Sequence, residues 1–283
     1  TTVAQVTASS PADGDQKNSA VTVIWNAVSG DSSGIDSYVV EVSKSSAFTS
    51  TISADTVDGA VVSQLLSGLY NDTYFWRVRA IDGAGNAGTN SAVRGFMLDT
   101  AVGQVTASSP ADGAQQNSAV TVIWSAVAGD SSGIDSYVVE VSKSSAFTST
   151  ISADTVDGAV TSQLLSGLYN DTYYWRVRAI DAAANTGANS AVRGFLLDTG
   201  VPAAVTASSP ADGAQKNSAV TVIWNAVTGD SSGIDSYIVE VSKSSGFTST
   251  ISADTIDGAV VSQLLTGLYN DTYFWRVRAI DGA

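Results

Sequence analysis

The residues in this chain that could do chemistry are almost all carboxylates. Histidine and cysteine are both absent, which removes the commonest general base, the commonest zinc ligand, thiolate nucleophiles and disulfides. Glutamate occurs once per repeat, at Glu41, Glu140 and Glu240. A lone repeated carboxylate could be half of a glycosidase acid/base pair, but each Glu sits among alternating valines on the outward side of a strand, where Arg77 or Arg79 of a neighbouring strand can neutralise it. Aspartate is the stronger signal. Asp31, Asp36, Asp58 and Asp82 fall in Gly- and Ser-rich loops, and Asp99 ends the first repeat. Calcium takes 6–8 oxygen ligands, often carboxylates and loop carbonyls. No contiguous Asp-x-Asp-x-Asp loop exists, so a cation site would have to be assembled from separate loops. Asn71, Asn170 and Asn270 each begin Asn-Asp-Thr, a possible glycosylation acceptor on a turn. No Ser/His/Asp set, Cys/His set or phosphate-cradling glycine motif appears, so the chain is read as not an enzyme.

These residues must be positioned by strands. The stretch Leu69–Asp82 returns almost unchanged at Leu168–Asp181 and Leu268–Asp281, an offset of about 100 residues that is the size of a domain rather than of a solenoid unit. Within it Tyr74, Trp76, Val78 and Ala80 alternate with Phe75, Arg77, Arg79 and Ile81, the period of a strand with one buried face. It is the central strand of each copy. The turn Tyr70–Thr73 before it suggests a tyrosine corner, with the Tyr74 phenol bonding back to the preceding chain. Val21, Val23 and Trp25 mark an earlier strand with a core Trp, Tyr38, Val40 and Val42 a third, and Phe96 and Leu98 the last. Phe48 reads as a plug at the end of the sandwich, and Phe75 as an exposed aromatic. About seven strands per copy with no helical periodicity predict an all-β sandwich.

The order of Trp25, then Asp31-Ser32-Ser33-Gly34-Ile35-Asp36-Ser37-Tyr38, then Leu69-x-x-x-Thr73-Tyr74-x-Trp76-Arg77-Val78-Arg79-Ala80-x-Asp82, then Phe96-x-Leu98-Asp99, resembles the fibronectin type III-like repeats of bacterial and archaeal extracellular proteins. The segment from Leu69 to Tyr74 is one residue shorter than in animal modules, which suggests a prokaryotic-type variant; an immunoglobulin-like sandwich is the alternative. The resemblance covers essentially the whole chain and divides it into repeats at 1–100, 101–200 and 201–283, the third truncated before its last strand. It implies that the aspartate loops gather at the end of each domain that faces the preceding one. Asp99, Asp130 and Asp181 are then the candidate ligands of a Ca²⁺ ion at the first junction.

A net charge of −14 and a pI of 4.1 argue against binding nucleic acid phosphates or anionic lipid, and no apolar run approaches the ~20 residues that would insert in a membrane. The expected role is a non-catalytic stalk, adhesin segment or extracellular fibre subunit at the cell surface, partnered by neighbouring repeats or subunits and in some settings by surface glycans. The alternative is a spacer or carbohydrate-binding array of a polysaccharide-degrading enzyme. Both ends read as cut from a continuing array, and the second junction carries an extra residue and Pro202, so the two joints are expected to differ.

Overall fold

Alternation of apolar and polar residues sets the strands, and the longest alternating run sits at the centre. The computed structural model describes residues 2–283; Thr1 lies outside the described residues. The first module contains β1 (Ala8–Ser10), β2 (Asp15–Lys17), β3 (Thr22–Trp25), β4 (Ile35–Ser43), β5 (Ser53–Asp58), β6 (Ser63–Leu65), β7 (Asp72–Asp82) and β8 (Arg94–Leu98). They form two layers: a three-stranded sheet ordered β1-β3-β6 and a five-stranded sheet ordered β2-β8-β7-β4-β5. The second module repeats this with β9 (Thr106–Ser109), β10 (Ala114–Gln116), β11 (Thr121–Ser125), β12 (Ile134–Ser142), β13 (Ser152–Asp157), β14 (Ser162–Leu164), β15 (Asp171–Asp181) and β16 (Arg193–Leu197). The third has β17 (Ala207–Ser209), β18 (Val220–Trp224), β19 (Ile234–Ser242), β20 (Ser252–Asp257), β21 (Ser262–Leu265) and β22 (Phe274–Asp281). The described residues contain no helix.

Tyr74, Trp76, Val78 and Ala80 on β7 are all buried, while the residues between them are only partly covered. They pack with Val23, Trp25, Tyr38, Val40, Val42 and Phe96 between the sheets. Trp25 lies with its ring 5.4 Å from that of Tyr38, and Tyr74 stacks on Phe96 at 5.7 Å. The tyrosine corner is present: the Tyr74 hydroxyl donates to the carbonyl of Tyr70 at 3.0 Å and accepts from its N–H at 3.1 Å. The same phenol geometry recurs at Tyr173.

On the outer face, register places Glu41 opposite Arg77. The Arg77 Nε donates to Glu41 at 2.7 Å and Arg79 adds a second ion pair at 3.3 Å, so the glutamate is an ion-pair member as its strand position implies. Burial works to raise the Glu41 pKa, but the hydrogen bonds and charges of the two arginines outweigh it and hold the carboxyl below its ordinary range.

Two expectations are corrected. Phe48 does not plug the sandwich end. It sits in the left-handed region (φ 53°) at the β4–β5 turn with the Arg77 guanidinium 4.1 Å from its ring centre. Cation–π attraction over a partly shielded surface holds a bulky residue in a conformation it normally avoids, and Phe147 and Phe247 repeat the arrangement. The second correction is an eighth strand, β2, which runs parallel to β8. Its Asp-Gln-Lys composition carries no strand signal; backbone pairing to β8 alone makes it a strand.

The third module shows what β8 does, because its described residues supply no counterpart. Its larger sheet has only β20-β19-β22. Ala214–Lys216, the counterpart of β2, is not a strand, and β22 begins at Phe274 although β15 begins three positions earlier in the equivalent sequence. Trp275, Val277 and Ala279 are half-buried where Trp175, Val177 and Ala179 are fully buried.

Trp76→Ala is expected to destabilise the first module by about 3–5 kcal/mol, as large core aromatics do, and Trp275→Ala to destabilise the third by less than half as much. Urea unfolding of the full chain, followed by hydrogen exchange module by module, checks both; equal losses would mean that the open sheet costs the third core nothing.

Candidate metal centre at the joint between the first two modules

β8 ends at Leu98, and the next residue, Asp99, is 1% exposed. Its backbone N–H donates to the Lys17 carbonyl at 2.8 Å, extending the β8–β2 pairing by one residue. Its carboxylate takes a hydrogen bond from each module. Asn71 Nδ2 of the first module donates to Oδ1 at 2.8 Å, and the Ser132 N–H of the second donates to Oδ2 at 2.9 Å. The Asp99 carbonyl also accepts from Asn185 Nδ2 of the second module at 2.7 Å.

Two further carboxylates converge there. Asp181, at the end of β15, is 1% exposed and accepts from the N–H and side-chain amide of Asn185, each at 2.7 Å. Asp130, in the loop before β12, accepts from the Ser132 hydroxyl at 3.2 Å. One carboxylate oxygen from each of Asp99, Asp130 and Asp181 lies within 4.8 Å of the others. All three are the residues singled out from sequence. The other loop aspartates take separate posts: Asp58 accepts from the Ala60 N–H in its own turn, and Asp36 lies on β4.

Three anionic groups at this spacing repel. Burial first, and then the Asp99 charge, raises the Asp130 pKa above the usual carboxylate range; the Asp181 charge adds to this, and the Ser132 hydroxyl only partly offsets it. A hard divalent cation would relieve the crowding, with three carboxylates and nearby carbonyl oxygens as an all-oxygen donor set of the kind calcium takes.

The second joint holds its aspartate in equivalent hydrogen bonds. Asp198 accepts from Asn170 Nδ2 at 2.9 Å, from the Gly200 N–H at 3.0 Å and from the Ser232 N–H at 3.0 Å. The Gly200 bond leads in lowering the Asp198 pKa. Asp198, Asp230 and Asp281 form no comparable trio among the described residues. The first joint has the same local backbone bond, from the Ala101 N–H to Asp99 Oδ1, at a longer 3.5 Å.

The amides of Asn71 and Asn170 are thus engaged in the joints, each Asn Oδ1 also accepting from the N–H and hydroxyl of Thr100 or Thr199. A glycan on Asn71 would displace its hydrogen bond to Asp99. Phe75 is half-buried, its ring 3.0 Å from where a Cβ on Gly95 would lie. The exposed aromatic is instead Tyr70, with Tyr169 and Tyr269 at the same place in the other modules, 82–85% exposed. The turn that reads as a corner from sequence has a freely presented ring beside it, and no period signals that.

The same frame carries every one of these groups: a three-stranded sheet on a larger one, a core Trp in each layer (Trp25 on β3 and Trp76 on β7), and a tyrosine corner entering the central strand. Each complete module is a fibronectin type III-like β-sandwich. No family model matches the chain, and no curated protein matches it. Among solved structures, it is similar to fibronectin(III)-like modules of CbhA from Clostridium thermocellum, at 18% identity and a TM-score of 0.39 over 68% of this chain and 93% of that one. It is also similar to the FN1–FN3 domains of chicken CNTN1, at 17% identity and a TM-score of 0.37 over 99% of this chain and 93% of that one.

With chelator present, acidification should stabilise the first joint. A carboxyl whose folded pKa is raised contributes stability below its unfolded value, and that contribution is lost as pH rises through the folded one. Asp130→Asn should raise the melting temperature of the first two modules at neutral pH and flatten its rise toward acid. A wild-type and a variant profile of the same shape would show that the three carboxylates do not interact.

Proposed function

We propose that the chain is a non-catalytic structural array, with modules at 1–100, 101–200 and 201–283, in a secreted or cell-surface protein where it acts as a stalk, adhesin segment or extracellular fibre subunit. The observation that carries this reading is Asp99, a buried carboxylate bonded at once to Asn71 in its own module and Ser132 in the next. Such a bond fixes the angle between neighbours, which a protein that sets length needs and an independent binding module does not. The chemistry distributed over the surface fits: each glutamate is consumed by an arginine. No described helix is long and apolar enough to cross a membrane.

Within this reading Asp99, Asp130 and Asp181 hold Ca²⁺ and stiffen the first joint. Ligand linkage then stabilises the pair of modules by about 2.7 kcal/mol at a hundredfold excess of Ca²⁺ over its dissociation constant. Titration calorimetry and melting in millimolar Ca²⁺ against chelator test this, with Asp181→Asn expected to abolish the difference; identical melting curves would remove the cation from the proposal. Small-angle scattering tests the array itself: joined modules give one extended shape, whereas freely jointed modules would sink the length-setting role whatever the calcium result.

A second reading rests on Tyr70, Tyr169 and Tyr269, three rings presented at one position per module. Exposed aromatics stack on sugar faces, so the array would bind surface glycans, as a carbohydrate-binding component of a polysaccharide-degrading enzyme would. Glycan-array binding that disappears when all three are changed to Ala would support it; retention of binding would place the glycan site elsewhere.

A further inference from the structure

The second module, whose two sheets hold all eight strands, carries a groove on the outer side of its larger sheet. The groove holds about 340 Å³, within the size range of small-ligand sites. Its floor is β16. Tyr174 and Thr172 of β15 form one wall, and Gln115 of β10 with Asp112 of the preceding turn forms the other. Register puts the Thr172 and Gln115 positions on either side of Leu196 in the floor.

Gly194 makes the groove possible. A Cβ there would meet the Tyr174 ring at 3.0 Å, so a side chain at this position would push the half-buried ring off the strand. The Gly194 N–H also donates to Asp112 Oδ1 at 2.7 Å, which pins the carboxylate at the rim. The result is an aromatic wall and an aliphatic floor, edged by a fixed carboxylate, a primary amide and two hydroxyls. A carboxylate only accepts hydrogen bonds, whereas the amide and the hydroxyls both donate and accept.

A ligand that satisfies this set needs an apolar face ringed by hydroxyl groups, which is the chemistry of a pyranose. Its C–H groups lie against the negative face of the aromatic ring, and its hydroxyls donate to Asp112 and exchange hydrogen bonds with Gln115 and Thr172. No lysine or arginine lines the groove and the chain carries a net charge of −14, so an anionic ligand is disfavoured. We propose that this groove is a subsite for a neutral sugar ring, with Tyr174 as the stacking platform. It rests on the glycan-binding reading for its class of ligand and shares none of the tyrosines at 70, 169 and 269. The first module has Phe75 and Met97 in the places of Tyr174 and Leu196, so its counterpart lacks the phenol hydroxyl.

The probes are cellobiose, lactose and maltose, with glucosamine and glucuronate as charged controls, added to the isotopically labelled full chain and followed by amide chemical shifts. At about 50 mM sugar a site with a millimolar dissociation constant is nearly full. At least one neutral disaccharide should give saturable shifts at 112–115, 172–174 and 194–196, and Tyr174→Ala should abolish them. Two milder variants guard against misfolding. Tyr174→Phe, which installs the residue of the first module, should weaken binding about threefold, the worth of one neutral hydrogen bond. Asp112→Asn keeps an oxygen for the Gly194 N–H and should weaken it about tenfold. Changing Tyr70, Tyr169 and Tyr269 to Ala should leave these shifts in place, which separates this site from those rings. No saturable shift with any neutral sugar, equal binding in all three groove variants, or shifts confined to the residues around 70, 169 and 269 would each overturn the proposal. So would tighter binding of either charged control.

Discussion

The pairing of β8 is the constraint on which the rest of each module depends. This short strand satisfies the free edge of β7, recruits β2 through its other edge, closes Phe96 and Leu98 over the core, and delivers Asp99 to the joint. The third module separates these consequences. Its central strand shortens, its β2 counterpart loses strand geometry, and its core Trp becomes half-exposed, although the sequences concerned are nearly the same. Local propensity therefore does not decide these segments; the availability of backbone partners does. Secondary structure, core and joint are linked through a single ladder of hydrogen bonds.

Much of this is legible in the sequence where side chains carry the information. Alternation alone puts Tyr74, Trp76, Val78 and Ala80 inside, and a turn followed by Tyr marks the corner. Glu41 can be paired with Arg77 and Arg79 because outward positions on adjacent strands must meet. Asp99, Asp130 and Asp181 come together because the order of strands fixes which loops share an end. What is not legible depends on backbone or on long-range geometry. β2 has no apolar face to reveal it. Phe48 looks like core from its type, yet it lies over a guanidinium in a left-handed turn. Asn71 reads as an exposed acceptor, and only the folded joint shows its amide on Asp99.

The two joints hold equivalent aspartates in matching hydrogen bonds, yet among the described residues only the first gathers three carboxylates. At the first joint Asp99 lies beside Asp130 and Asp181, and burial first, then the Asp99 charge, raises the Asp130 pKa. At the second the Gly200 N–H lies 3.0 Å from Asp198, closer than the 3.5 Å of the matching Ala101 bond to Asp99. Charge count is the same at the two sites and backbone N–H groups bond the aspartate at both, so the spacing of the carboxylates is what differs.

β4 and β12 are identical in all nine residues, Ile35–Ser43 and Ile134–Ser142. Any strand that fits one module fits its neighbour, so during folding the chain cannot distinguish self from adjacent copy by side-chain recognition. Connectivity must do so. The loop from Gly83 to Val93 brings β8 to β7, whereas the equivalent strand of the next module lies at the end of a segment roughly ten times longer, a difference of about 2 kcal/mol in closure entropy. Short hairpin connections thus act as the address label in a chain of near duplicates, and lengthening one would turn correct assembly into a contest between equal partners.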